Sequence, residues 1–214
     1  MSQSWRSGQL PLRSIRVLVP GTTGRFRCGG LLVELQTARL LEQFARVQLV
    51  TYRQREPEHP FLADLLRLEQ PGCGPGAPLW LVSWGFDVPQ LLRRLKGRAT
   101  AYHAHSSGYG FRLPPGVPVL AVSRNTLGYW GQWASRNPLF LVPNALEASW
   151  IARGARPANL GAPPEPGGRS IDVLVQRRKT STYVLEQLVP ALRARGLRVE
   201  VQDGWVEDLV GLFN

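Results

Sequence analysis

An α/β fold on parallel strands is what this 214-residue sequence predicts, and three observations predict it. Short β-branched or apolar runs recur along the chain, helical stretches separate them, and Gly- or Pro-containing turns sit where strands end. Parallel strands need a long crossover, and the intervening helices supply one. An apolar content of 43% suffices for a packed core, which excludes a wholly disordered chain.

Residues 15–19 (IRVLV) form a β-branched run that Pro20 and Gly21 stop. The glycine-rich loop 21–30 then leads into a helix to about Arg46, with Leu31, Leu35, Ala38 and Leu41 on one face. A second strand is expected at 47–51 and a third at 79–83, followed by a short helix over 88–95. Residues 99–103 and 117–122 read as strands, and Ser123 as the N-cap of a helix through Trp133. The run 139–142 is the last strand of this block, closed by Pro143 and Asn144. Between Arg53 and Pro78 the pattern is looser, and residues 72–76 read as loop.

The organisation that follows is a flexible N-terminus (1–14), a first domain (15–150), a Pro/Gly/Ala-rich linker (151–170) and a second unit (171–214). In the second unit, 171–175 and 197–202 read as strands around a helix over 181–195 that Pro190 kinks or splits, and a further helix starts at Trp205. Two strands and one crossover cannot cover both faces of a sheet, and about 45 residues is near the lower limit for independent folding. The second unit is therefore expected either to dock on the first or to be the start of a longer domain.

Twenty-six basic against 15 acidic residues give a net charge of +11. Residues 171–214 are balanced, so the excess lies in the first 170, and it is almost all arginine, with Lys96 and Lys179 the two lysines. Such a surface suits nucleic acid, anionic lipid or a phosphorylated ligand, but the arginines are scattered and no nucleic-acid motif accompanies them. Two cysteines make no disulfide framework and no zinc spacing. With no apolar run of bilayer length and no apolar leader segment, a cytoplasmic protein is expected.

Three segments can carry chemistry. Loop 21–30 places glycines and the arginines Arg25 and Arg27 ahead of a helix N-terminus, where backbone N–H groups can approach a phosphate; its spacing fits neither the dinucleotide fingerprint nor the P-loop. Residues 101–111 (AYHAHSSGYGF) put His103 and His105 where a strand opens into a loop, on one face if the strand extends that far. No carboxylate or cysteine neighbours them in sequence, so no metal site is expected. Residues 176–180 (QRRKT) present three cations at a strand end, suited to a diphosphate or simply solvated. Tyr129–Trp133 is either a sugar-stacking platform or the cover of a helix–sheet junction. No nucleophile elbow or paired-carboxylate constellation is present.

Taken in order, these segments resemble a glycosyltransferase of the two-Rossmann-domain (GT-B) type, close to glycosyltransferase family 4. The strand–loop–Gly29-Gly30–helix–strand opening, Tyr102-His-Ala-His105, Leu120-Ala-Val-Ser-Arg124, Leu141-Val-Pro-Asn-Ala145 and the Arg177-Arg178-Lys179 start of the second unit carry the likeness. It implies a Rossmann-like N-terminal, acceptor-side domain and the start of a second, incomplete Rossmann-like unit that binds a nucleotide sugar. It implies sugar transfer to an acceptor hydroxyl with retention, no obligatory metal and no cofactor, the nucleotide sugar being substrate. By the resemblance His105 contacts the donor sugar, Gly29 and Gly30 approach the diphosphate or the acceptor, and Arg178 and Lys179 neutralise the leaving diphosphate. Either Arg177 or Arg178 corresponds to the family's arginine. His103, Ser106, Tyr109 and Asn144 are candidates for acceptor or sugar contacts, the acceptor being a glycan or a lipid-linked molecule, with peripheral contact to an anionic membrane.

The family's acidic motif, two glutamates separated by seven residues, has no counterpart; Glu200 and Glu207 lie too early and too close together. The chain is accordingly expected to be inactive alone or completed by a second polypeptide. A non-catalytic binding fragment is the alternative, and a basic nucleic-acid-binding α/β protein a further one.

Overall fold

The computed structural model describes residues 14–73, 76–83, 85–144, 171–177 and 180–204. Residues 1–13, 151–170 and those from Trp205 on, expected as flexible terminus, linker and helix start, lie outside them, as do Arg178 and Lys179. The chain divides into two compact units, 1–146 and 147–214.

The first unit is α/β, as the periodicity predicts. Its strands are β1 (Ser14–Val19), β2 (Arg46–Thr51), β3 (Leu79–Val82), β4 (Thr100–Ala104), β5 (Val119–Ala121) and β6 (Leu139–Leu141). They form one six-stranded sheet in the order β2-β1-β3-β4-β5-β6, every pair parallel. The helices are α1 (Gly29–Leu41), α2 (Leu62–Leu68), α3 (Val88–Arg94) and α4 (Arg124–Trp133). Ser123 caps α4 as expected, its hydroxyl accepting from the Thr126 amide at 3.1 Å.

Strand alternation sorts the core into two layers. Ile15, Val17, Val19, Leu81 and Ala101 face the α1 side and pack with Leu31 and Ala38. Leu18, Val50, Trp80, Val82, Tyr102, Ala104 and Val119 face the other way and pack with Leu91, Leu95 and Trp130. His103, two residues after Ala101, therefore points to the α1 side.

One expectation is corrected. Helix α1 stops at Leu41, not Arg46, because the amides of Phe44 and Ala45 turn back to the Leu41 carbonyl and Arg46 already belongs to β2. The loosely patterned segment after β2 contains α2, a seven-residue helix too short to register as a period in a sequence window but which buries Leu62 completely.

The second unit pairs β7 (Val173–Gln176) with β8 (Val199–Gln202) in parallel. Between them a π-helical turn (Val184–Leu188) leads into α5 (Val189–Ala194), with Pro190 in its first turn. Proline has no N–H and its ring crowds the carbonyl four residues back, so the helix widens there, which is the expected splitting. Val175, Val189 and Val199 make its small core. Among the described residues no helix is long and apolar enough to cross a membrane.

Candidate functional site

In an open parallel sheet, ligands meet the carboxyl ends of the strands where successive crossovers diverge. Here β1 lies between β2 and β3, so that point falls between the ends of β1 and β3. The loops after β1, β3, β4 and β6 all emerge at this edge. They bring Gly29, Gly30, His105, Ser106, Tyr109 and Asn144 to one side of the first unit.

The centre of the edge is a residue that sequence reasoning missed. Glu34 lies on α1 between Leu31 and Ala38, on the inward face, and is fully buried. Its Oε1 accepts from His103 Nδ1 at 2.7 Å and from His105 Nε2 at 2.5 Å, across 69 and 71 residues of sequence. The two histidines do share a face, and their ring centroids are 4.3 Å apart.

Burial by itself would raise the Glu34 carboxyl, but hydrogen bonds from both histidines and their positive charge outweigh it and hold the group at about 2. Glu34 is thus a carboxylate at neutral pH, and the facing nitrogens carry the protons. That leaves Nδ1 as the outward-facing nitrogen of His105, an acceptor when the ring is neutral and a donor when it is charged. Side-chain exposure separates the roles: 15% for His105, 4% for His103 and none for Glu34. His103 has little surface to offer a substrate; it sits behind His105 and helps hold Glu34.

Glycines 29 and 30 open α1. A side chain at Gly29 would meet nothing within 4 Å, and one at Gly30 would meet only Cys28 Sγ at 3.7 Å, so no neighbour in the described chain crowds this helix end. The N-cap is Cys28, whose Sγ accepts from the Leu31 amide. Gly30 precedes Glu34 by one turn, about 6 Å along the axis.

The loop after β1 is held by a second buried carboxylate. Glu56 accepts from the Thr22 amide at 2.8 Å and the Thr22 hydroxyl at 2.6 Å. Burial raises its carboxyl, and the bonds from Thr22 more than offset that, so it too is held below its ordinary value. Gly21 is the tight point: a Cβ there would lie 2.6 Å from the Phe26 ring and 2.9 Å from Glu56 Oε1. Gly21→Ala is expected to cost about 1–3 kcal/mol by displacing both, read as a lower urea midpoint. A midpoint equal to wild type would show that the clasp is loose.

The loop after β4 is pinned by aromatic rings. Trp130 Nε1 donates to the Ser106 carbonyl at 3.3 Å, and the Tyr129 hydroxyl accepts from the Gly110 amide at 3.4 Å. Trp130 is buried against Tyr102 and Phe111, so in the Tyr129–Trp133 stretch this residue covers a helix–sheet junction. Tyr109 meets exposed Phe86 edge-on at 5.1 Å. Asp87 accepts from Tyr52 and Arg53 and ties two loops together.

In the second unit Arg177 is exposed at the end of β7, with Nε 3.3 Å from Asp203 Oδ2. Arg178 and Lys179 lie outside the described residues. Among the described residues, Glu34, His103 and His105 are the one group of three side chains whose ligand atoms converge closely enough to hold a metal ion. The absence of a nearby carboxylate in sequence was therefore no guide, because α1 delivers one. No protein-family model matches this sequence, and comparison with curated proteins finds no match either.

Proposed function

We propose that the protein is a glycosyltransferase of the two-Rossmann-domain type, moving a sugar from a nucleotide-sugar donor to an acceptor hydroxyl with retention. The observation that carries this reading is a buried carboxylate, Glu34, holding His105 at the carboxyl edge of a parallel sheet, one turn from the glycine-opened N-terminus of α1.

The two halves of a nucleotide sugar need different partners. The diphosphate gains charge as the bond from the anomeric carbon to phosphate oxygen breaks and the electron pair leaves on that oxygen. The uncrowded N–H groups at Gly29 and Gly30, with the helix dipole, stabilise that charge. The second unit carries cations of its own suited to a diphosphate, Arg178 and Lys179, with Arg177 as the other candidate. His105 Nδ1 accepts a hydrogen bond from a hydroxyl of the donor sugar and orients it. The acceptor oxygen attacks from the face the diphosphate leaves, and its proton passes to the departing diphosphate. Ser106, Tyr109 and Asn144 border this edge on the acceptor side, where a glycan or lipid-linked acceptor would sit. The chemistry needs no metal and no cofactor, and the arginine excess of the first unit suits an anionic membrane surface.

The test uses the full chain in chelator, melted with and without UDP- and GDP-sugars and assayed for release of nucleoside diphosphate. A raised melting temperature and turnover that falls by about 100-fold or more in His105→Ala, assayed where the variant is still folded, support the reading. No stabilisation by any of these sugars, or unchanged turnover in the variant, overturns it. Steeply salt-dependent binding of nucleic acid in their place would favour the nucleic-acid reading.

A further inference from the structure

We propose that Glu34, His103 and His105 form a binding site for a zinc-class divalent cation, closed on the protein side and open at His105. The proposal goes beyond the transferase reading and does not rest on it.

The donor set is two imidazole nitrogens and one carboxylate oxygen, all within 4.8 Å of one another. Such a set suits late first-row ions; Mg²⁺ and Ca²⁺ prefer all-oxygen shells. A second observation is independent of this convergence. Glu34 Oε2 is buried and has no hydrogen-bond partner, although the same carboxylate's other oxygen takes two. A bare buried carboxylate oxygen is costly, and a cation beside it removes that cost. The ion pairs described for Glu34 are those with His103 and His105.

Glu34 stands on α1 and His103 on β4, whose residues share one core cluster of the first unit, and His105 is the first residue after β4, so two of the three ligands are held by regular elements. The small exposure of His105 supplies an entry path and an open coordination position; the other two ligands are sealed. Metal–ligand bonds of about 2.0–2.2 Å separate neighbouring ligand atoms by roughly 3.3 Å, so the two short N···O contacts open by less than about 1 Å. On binding, each neutral imidazole forms a metal–nitrogen bond at its inward nitrogen and moves that nitrogen's proton, through solvent, to its outer nitrogen. His105 then presents an N–H where the metal-free protein presents a lone pair. The ion thus changes what the edge offers to a ligand and acts as a competitor of the metal-free state.

The experiment titrates the chelator-stripped full chain with Co(II), then with Zn(II). The expected result is one equivalent of Co(II) with a visible ligand-field band of low coordination number, displaced by Zn(II). Glu34→Gln and His105→Asn should weaken binding by more than about 100-fold, the upper end of what loss of an outer-shell partner does. His59→Asn should leave it unchanged. Because the Glu34 variant loses stability, the wild type is also followed by NMR: Zn(II) must shift the ring signals of His103 and His105 and not those of His59. Absence of the band and of the ring shifts overturns the proposal and leaves a hydrogen-bonded cluster only. Equal affinity in all variants also overturns it. Nucleotide-sugar binding is measured on the stripped protein, so failure of one reading leaves the other standing.

Discussion

Glu34→Gln is expected to lower the unfolding free energy by about 3 kcal/mol at neutral pH and by almost nothing near pH 2. The substitution keeps the volume of the side chain and removes its charge. In the native protein the carboxyl is held at about 2, against an ordinary value of 4.5, once the bonds and charge from His103 and His105 have overcome the opposing effect of burial. A group depressed on folding contributes stability that is fully present above its unfolded value and disappears as pH falls from about 4.5 towards 2. Over that window the unfolded chain binds the proton that the native state refuses. Wild type and variant should therefore differ at pH 7 and converge in acid, because protonated Glu34 and glutamine present similar neutral groups. Urea titrations across pH, read by hydrogen exchange of the β4 amides, measure the gap. A gap that stays constant with pH would mean that the carboxylate is not the stabilising form.

Trp130→Ala is expected to cost about 3–5 kcal/mol, the range for removing a large aromatic from a packed core. Trp130 is fully buried, its ring centroid 5.2 Å from Tyr102 and from Phe111. Its indole N–H also holds the Ser106 carbonyl, one residue from His105. The effect should thus exceed a core loss alone: exchange of the amides over 106–111 should accelerate with the fall in midpoint. Trp130→Phe separates the two contributions, keeping a ring and losing the donor at a cost of about 1 kcal/mol for the hydrogen bond, with further loss from the smaller ring. A Trp130→Ala midpoint within about 1 kcal/mol of wild type would show that Tyr102 and Phe111 close over the gap.

The strands were legible because their signals are local. A continuous β-branched run bounded by Pro20-Gly21 can bury both faces, which is what β1 does as an interior strand between β2 and β3. The serine before α4 read as a cap because capping needs only residues three apart. Helix α2 was not legible, since seven residues give too few repeats to establish a period. The histidines were visible as a pair, and their shared face followed from strand alternation.

Residue type and spacing along the chain determined an α/β fold, a parallel sheet, a glycine-opened helix end and a histidine pair at a strand end. Only the tertiary structure decided what those histidines face. Glu34 sits on a helix face that otherwise reads as apolar, and nothing within one element marks a carboxylate that is satisfied from another. The same holds for Glu56, which lies in a stretch of loose pattern yet clasps the loop after β1. Periodicity reports which side of an element is buried; the partner of a buried charge is set by packing α1 on β4, a contact spanning about a third of the chain.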